Sequence, residues 1–375
     1  MKILSVKQNT VNKFNLSLFV VMILLLSIGC VFVYSASFYS AEITYGDKFF
    51  FIKKQLFGIA VGMVGYLFFS FFDYKKLEKI KWVLLIISFI LLALVFVPGV
   101  GFSNYGATRW INLKVITFQP SEIAKISFII FSASVLSKSS ETIKSFKGLL
   151  PVLVVGAIYC ILIIMEPNMS ITICMALLMV VMLFIGGARI KHFLILSIPA
   201  IALVVLLIMI EPYRLKRLVA FIDPFVSSKG EGFQLVQSLL GIALGGAFGV
   251  GIFNSRQKYL FLPFSESDFI LSIIAEEVGF VGISFIITLF VVLFLVIIKT
   301  SRQARDKFGC LLSAGIGAII IIQTLLNVAV VTGLVPPTGL PLPFISAGST
   351  SIMIFMSMLG VVQNIHRQSV KSVIQ

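Results

Sequence analysis

Long apolar runs, each bounded by charged or turn-forming residues, set the pattern of this chain. Ten of them approach the length of a bilayer-crossing helix: Leu16–Tyr34, Leu56–Phe72, Trp82–Val97, Pro120–Leu136, Leu149–Met165, Ile171–Ile185, Phe193–Ile210, Phe269–Ile298, Phe308–Val331 and Thr350–Val362. The sixth and tenth are short. The eighth is long enough to tilt or to project beyond the lipid. The pattern predicts an all-α integral membrane protein of about ten transmembrane helices, one polytopic domain over residues 1–375. A large outer loop, about 211–268, separates spans seven and eight. Within it GFQLVQSLLGIALGGAFGVGIF is too apolar for an exposed loop, and Gly241, Gly245, Gly246, Gly249 and Gly251 break it. An amphipathic or re-entrant helix followed by a glycine turn fits that stretch. Gly241 and Gly245 also match a small-xxx-small helix-packing pattern. The last outer loop, GLVPPTGLPLPFISAGST, is uncharged, and Pro336, Pro337, Pro341 and Pro343 forbid a regular helix there.

Composition agrees: 59% of residues are hydrophobic and 12% charged, with a mean hydropathy of +1.10, which excludes an ordinary soluble domain. The charges then orient the spans. Lys2, Lys7 and Lys13 precede the first; Lys75, Lys76, Lys79 and Lys81 follow the second; Lys138, Lys144 and Lys147 the fourth; Arg189 and Lys191 the sixth; Lys299, Arg302, Arg305 and Lys307 the eighth. Arg367 and Lys371 close the chain. Every second loop is basic, which puts both termini in the cytoplasm of a multi-pass protein of the cell membrane. The net charge of +15 is largely this topological signal, and nucleic acid is not an expected partner. The first run exceeds a typical signal core and reads as an uncleaved anchor. Cys30, Cys160, Cys174 and Cys310 all fall within spans, without metal or disulfide spacing.

The polar residues narrow the chemistry. His192 and His366 are the only histidines, both near cytoplasmic span ends, which removes Ser-His-Asp triads, Cys-His dyads and histidine-based zinc sites. No GxxxxGK[ST] loop occurs. Carboxylates, lysines, arginines and amides remain. Asp268, in SESDFILSIIAEEVGF, stands at the threshold of span eight. It reads either as a helix N-terminal acid stabilised by the dipole or as a general base at the outer surface. Glu276 and Glu277 lie two turns further on, either hydrogen-bonded structural acids or the lining of a polar cavity. Glu122 and Lys125, three apart on span four, suit a buried pair that acts as a clamp or as a cavity floor. Arg109, Lys114, Arg214, Lys216, Arg217, Lys229, Arg256 and Lys258 lie on the outer side. They suit either an anionic ligand such as a pyrophosphate or pairing with Glu211, Asp223, Glu231 and Glu266.

Three stretches resemble the signature regions of one family. They are ATRWINLKVITFQPSEIAKISF, DPFVSSKGEGFQLVQSLLGIALGGAFGVGIFNSRQKYLFLPFSESDFILSIIAEEVGFVG and NVAVVTGLVPPTGLPLPFISAGSTS. The chain is similar, nearly end to end, to the SEDS family of FtsW, RodA and SpoVE proteins, and its wording is closer to FtsW or SpoVE than to RodA. The resemblance implies ten transmembrane helices and a peptidoglycan glycosyltransferase that polymerises lipid II. It also implies a class B penicillin-binding protein as transpeptidase partner, alongside other divisome or elongasome membrane proteins. The family's essential aspartate falls on Asp268. Its Arg-Trp falls on Arg109 and Trp110, its Gln-Pro-Ser-Glu-x-x-Lys on Gln119 to Lys125, and its Gln-x-x-Gln-Ser element on Gln234, Gln237 and Ser238. Lys258 precedes the catalytic turn, and Ser346 opens the family's final serine-glycine element. Arg109, Trp110, Arg217, Gln234, Gln237, Ser238, Lys258 and Ser346 are therefore the expected substrate-binding residues. Glu122, Lys125, Glu276 and Glu277 are the expected structural or cavity-lining set. No cofactor is required, although magnesium or manganese could share the charge stabilisation; a lone aspartate specifies no metal site.

The chain also departs from the family's wording. Pro167, Asn168, Met169 and Ser170 stand where Pro-Asp-Leu-Gly is usual, Phe264 where a glutamate follows Leu-Pro, and Ser346-Ala347-Gly348-Ser349 where Ser-Tyr-Gly-Gly is usual. A lipid II flippase and a non-catalytic scaffold that recruits a transpeptidase are the rival expectations.

Overall fold

The computed structural model describes residues 14–104, 107–112, 117–138, 145–196, 221–224, 232–337 and 339–373. In chain order its helices are α1 (Leu16–Tyr45), α2 (Phe50–Phe71), α3 (Tyr74–Lys79), α4 (Lys81–Leu94), α5 (Pro120–Ser137), α6 (Phe146–Met165), α7 (Met169–Gly186), α8 (Phe233–Gly245), α9 (Ile270–Arg302), α10 (Lys307–Val331) and α11 (Ser349–Val373). Seven of them, α1, α2, α5, α6, α7, α9 and α10, are long and apolar enough to cross a membrane; α4 is apolar but shorter. Of the seventh expected span, residues 193–196 are helical and the remainder lies outside the described residues.

Nine expected spans therefore coincide with helices. α1 and α11 run on past the expected ends at Tyr34 and Val362. Pro120 occupies the first turn of α5, where its missing amide costs nothing. The all-α expectation needs one amendment. Residues between α4 and α5 form a small antiparallel sheet of β1 (Gly101–Asn104), β2 (Ala107–Asn112) and β3 (Thr117–Phe118), in the order β1-β2-β3. Trp110 pairs with Phe102, and Ile111 lies between Gly101 and Phe118. Aromatic and β-branched residues favour such pairing over a helix too short to cross anything.

α5 and α10 bury most of their lengths, whereas α2 and α9 turn long apolar faces outward. Phe68, Phe71, Ile86, Ile161, Phe184 and Phe285 stand exposed, as lipid-facing side chains do. α2 meets α11 through a glycine stripe. A Cβ on Gly58, Gly62 or Gly65 would lie 2.9 Å from Ser349 Cα, 2.6 Å from Met356 Sδ and 2.3 Å from Ser357 Oγ respectively. At one end of the bundle the loops are tied by polar contacts: Tyr74 Oη donates to Asp306 at 2.8 Å, Gln368 to Asp73 at 2.8 Å, and Lys81 to Ser134 at 2.6 Å.

The other end holds the irregular backbone. α8 stops at Gly245, and residues 246–251 cross α9 where that helix breaks. Gly279 has φ 66° and ψ −168° inside it. The two segments pair through their backbones: Val250 N to Glu276 O at 2.9 Å, Gly251 N to Glu277 O at 3.0 Å, and Phe280 N to Gly246 O at 2.9 Å. The long eighth span is thus two helices joined at a kink. The expected glycine turn is present, and Gly245 packs as the small-residue pattern predicts; a Cβ there would lie 2.0 Å from Ala275 O.

Gly249 combines a close approach with a left-handed backbone: a Cβ would lie 2.2 Å from Glu277 O, at φ +82°. Gly249→Ala is expected to destabilise the protein by about 2–4 kcal/mol. Gly99→Ala, at φ +85° with open space around it, is expected to cost only the backbone term of about 1–2 kcal/mol. Thermal unfolding of the two variants in detergent checks the difference.

Candidate active site at the outer end of α9

Asp268 lies one residue outside the N-cap of α9, which is Phe269 and makes no side-chain capping bond. Its side chain is half-buried. Three consecutive carbonyls leading into the helix each accept one hydrogen bond from the far end of the chain. Glu266 O accepts from Ala347 N at 2.9 Å, Ser267 O from Ser346 Oγ at 2.6 Å, and Asp268 O from Asn327 Nδ2 at 2.8 Å. The last outer loop closes over the carboxylate: a Cβ on Gly339 would lie 2.8 Å from Asp268 Oδ2. Gly339 N in turn donates to Ser170 Oγ at 2.9 Å, at the start of α7. Four parts of the chain thus converge on one acid. Beside it, burial raises the Glu266 carboxyl above the usual carboxylate range.

The preceding loop is held by the two adjacent acids of α9. Glu276 accepts from Ser255 Oγ, from Arg256 N at 2.9 Å and from Gln257 N at 3.3 Å. Glu277 accepts from Lys258 Nζ at 3.0 Å, Ser35 Oγ at 2.6 Å and Ser255 N at 3.4 Å. Adjacent positions on a helix point in different directions, and both directions are used within the same loop. Lys258 is 1% exposed, with its ammonium 5.1 Å from the centre of the Phe38 ring. The structure therefore gives Lys258 a sealed ion pair joining α1, α9 and the loop, in place of the open anion contact expected from sequence. Arg256, two residues earlier, is the exposed cation of this turn.

Arg109 and Trp110 lie half-buried on β2. Arg109 donates through Nε to Glu166 O at 3.4 Å and through Nη2 to Pro167 O, crossing to the end of α6. The Glu166 side chain is 1% exposed and neither carboxyl oxygen has a hydrogen-bond partner. Burial pushes it up to about 8, against the opposing pull of Arg109. Asn168, the departure from the usual aspartate, caps α7 by accepting from Ile171 N at 3.3 Å.

The remaining expected residues divide. Glu122 and Lys125 form the buried pair at 2.7 Å, and Lys125 also donates to Gln323 Oε1 at 2.8 Å. Ser238 is buried where α8, α9 and α10 meet, 2.6 Å from Ser272 Oγ and donating to Val331 O at 2.7 Å. Gln234 and Gln237 stay half-buried on α8. Arg217, with Lys114, Arg214, Lys216, Lys229, Glu211 and Glu231, lies outside the described residues. Among the described residues no group of three or more His, Cys, Asp and Glu is arranged to hold a metal ion. Sequence reasoning missed Gln323 and Asn327, whose signal was two amides one turn apart in an otherwise apolar span. It also missed Glu166, an acid ending a span, and Ser35.

The family model described as "Cell cycle protein", covering FtsW, RodA and SpoVE, matches residues 15–371. The chain belongs to the FtsW/RodA/SpoVE family. It is 38% identical to stage V sporulation protein E of Bacillus subtilis, over 95% of this chain and 97% of that one. It is 38% identical to a probable peptidoglycan glycosyltransferase FtsW of Trichlorobacter lovleyi, over 94% and 93%. Among solved structures it is similar to a chain of a peptidoglycan synthase complex that coordinates polymerization and crosslinking, with TM-score 0.79 and 26% identity over 95% of this chain and 98% of that one. It also shares the fold of the rod shape determining protein RodA of Thermus thermophilus, with TM-score 0.69 and 22% identity over 95% and 97%. The membership makes the chain a multi-pass membrane protein.

Two groups yield expectations. Removing one partner of a buried ion pair leaves an uncompensated charge, so Lys258→Met should cost about 3–5 kcal/mol, with part regained in Lys258→Met/Glu277→Gln; thermal unfolding of the single and double variants reads this. Glu166 has a raised folded-state pKa of about 8 against an ordinary 4.5. Its contribution to stability is therefore complete below the ordinary value and lost as pH rises from there through the folded one. Glu166→Gln cannot ionise, so the wild type should lose melting temperature relative to this variant between pH 4.5 and about pH 8 and hold a constant difference above that.

Proposed function

We propose that this chain is a peptidoglycan glycosyltransferase that polymerises lipid II at the outer face of the cytoplasmic membrane, with Asp268 as its general base. The observation that carries the proposal is the carboxylate itself. It is half-buried, on a backbone held by three hydrogen bonds, at the mouth of a broken helix, in a chain whose family relatives bear that activity in their names.

Asp268 accepts the proton of the acceptor sugar's 4-hydroxyl. The freed oxygen attacks the anomeric carbon of the donor strand, the bond to pyrophosphate breaks, and undecaprenyl pyrophosphate leaves with inversion. A base fixed in this way contributes about 10²–10⁴-fold. Arg109, half-buried on β2, and Arg256, exposed, are the cations suited to the developing pyrophosphate charge, together with Arg217, which lies outside the described residues. Lys258 instead holds the loop that carries Asp268. Trp110, Gln234 and Gln237 complete the proposed substrate surface, and the polyprenyl tails lie in lipid-facing grooves; Ser238 and Ser346, expected there from sequence, are buried and bonded to neighbouring backbone, which gives them packing roles instead. Both termini face the cytoplasm, and a class B penicillin-binding protein is the partner, in division or sporulation wall synthesis.

The flippase alternative needs acids lining a path through the membrane. Glu122, Glu276 and Glu277 are each 1% exposed and engaged with neighbouring groups, which supports structural roles for all three.

Purified chain, with candidate partners, is incubated with labelled lipid II. Asp268→Asn should lower glycan-strand formation by about 10²-fold or more while the melting temperature stays at the wild-type value. Full activity in that variant overturns the assignment of the base. Lipid translocation without polymer supports the flippase, and partner binding alone supports the scaffold.

A further inference from the structure

Two amide side chains link the sealed ion pair in the bundle to the outer site. Gln323 and Asn327 sit one turn apart on α10 and so share a face; both are buried, at 0% and 1% exposure. Asn327 Nδ2 uses both protons, on Asp268 O at 2.8 Å and on Leu340 O at 2.7 Å. Its Oδ1 is buried without a partner, so the residue is held by what it donates. Gln323 Nε2 donates to Pro341 O at 2.8 Å, and its Oε1 accepts from Lys125 Nζ at 2.8 Å. The two ends of a carboxamide differ in kind, one accepting and one donating. An ammonium on the oxygen therefore fixes the amide's orientation and aims its protons at the loop. Glu122, 2.7 Å from Lys125, holds that ammonium in place.

Consecutive carbonyls of the last outer loop, Leu340 and Pro341, are thus gripped from α10. The residue just before them, Gly339, is the one that abuts the Asp268 carboxylate. We propose that Asn327 and Gln323 are positioning residues which lock the Gly339–Pro341 turn and the Asp268 backbone into one unit, with the Glu122–Lys125 pair acting through Gln323. Neither amide touches reacting atoms. Their effect is to hold the carboxylate and the wall it faces at a fixed separation, because a proline-rich turn has no ladder of its own to do so. Polar groups buried in a membrane helix are costly and are kept for such work.

This inference rests on Asp268 as the base, and its test separates the two. In the full-length protein, Asp268→Cys is labelled with a membrane-impermeant maleimide and quantified by peptide mass, with Asn327 intact or as Asn327→Leu. Loss of the grip should raise the labelling rate roughly tenfold, through local opening of the turn. With Asp268 restored, Asn327→Leu and Gln323→Leu should each lower kcat on labelled lipid II by about 10²-fold at a KM within about twofold. Lys125→Met should add little once Gln323→Leu is present. An unchanged labelling rate in folded Asn327→Leu overturns the proposal, whether or not the wild type polymerises. A fall in kcat without faster labelling also overturns it. If Asn327→Leu does not fold, Gln323→Leu, which removes the bond to Pro341 O, is read in the same two assays by the same criteria.

Discussion

A backbone that leaves helical geometry at a membrane surface must find a partner for each amide and carbonyl, because lipid offers none. Residues 246–269 and 332–348 are two such segments, and the polar side chains of the bundle are distributed to satisfy them. Glu276 and Glu277 supply acceptors to the amides of Ser255, Arg256 and Gln257. Asn327, Gln323 and Ser346 supply donors to carbonyls of both segments. Each of these groups would cost several kcal/mol if buried alone. Paired with irregular backbone, they make that backbone rigid. Gly249 and Gly279 let the two chains approach closely enough for α9 to break and the loop to cross it.

That rigidity suits Asp268 to the role of base proposed for it. A carboxylate on a mobile loop would sample many positions, and catalysis depends on a narrow range of them. Here the carbonyl of the same residue is fixed from α10, the preceding two from the final loop, and the carboxylate faces Gly339. The cations sort by the same logic. Lys258 is consumed inside the scaffold with Glu277, Arg109 is half-buried and donates to the Glu166 and Pro167 carbonyls, and Arg256 is exposed. The departure at Asn168 has a local use as the cap of α7, and Glu166 keeps a carboxyl two residues away.

Much of this was legible in the chain. Period and length gave nine of the helices, the glycine cluster gave the turn after α8 but not its crossing of α9, and the three-residue spacing gave the Glu122–Lys125 pair. The sheet was missed because β1 to β3 are short and sit between two strong apolar runs that dominate any hydropathy reading. Lys258 was misjudged because a loop position says nothing of burial; only the fold brings Ser35 and Glu277 around it. The role of Asn327 was invisible for a related reason. Its contacts reach residues 59 positions earlier and 13 later, and sequence spacing carries no record of pairings across elements.

The account stands on the claim that a non-helical outer segment is as firmly held as the helices around it. Hydrogen exchange of the protein in lipid nanodiscs measures this directly. The amides of Val250, Gly251, Ser255, Arg256, Gln257, Leu262 and Phe269, all bonded within the protein, should exchange as slowly as those of the first turns of α9. Exchange at the rate of an unstructured loop would contradict the account.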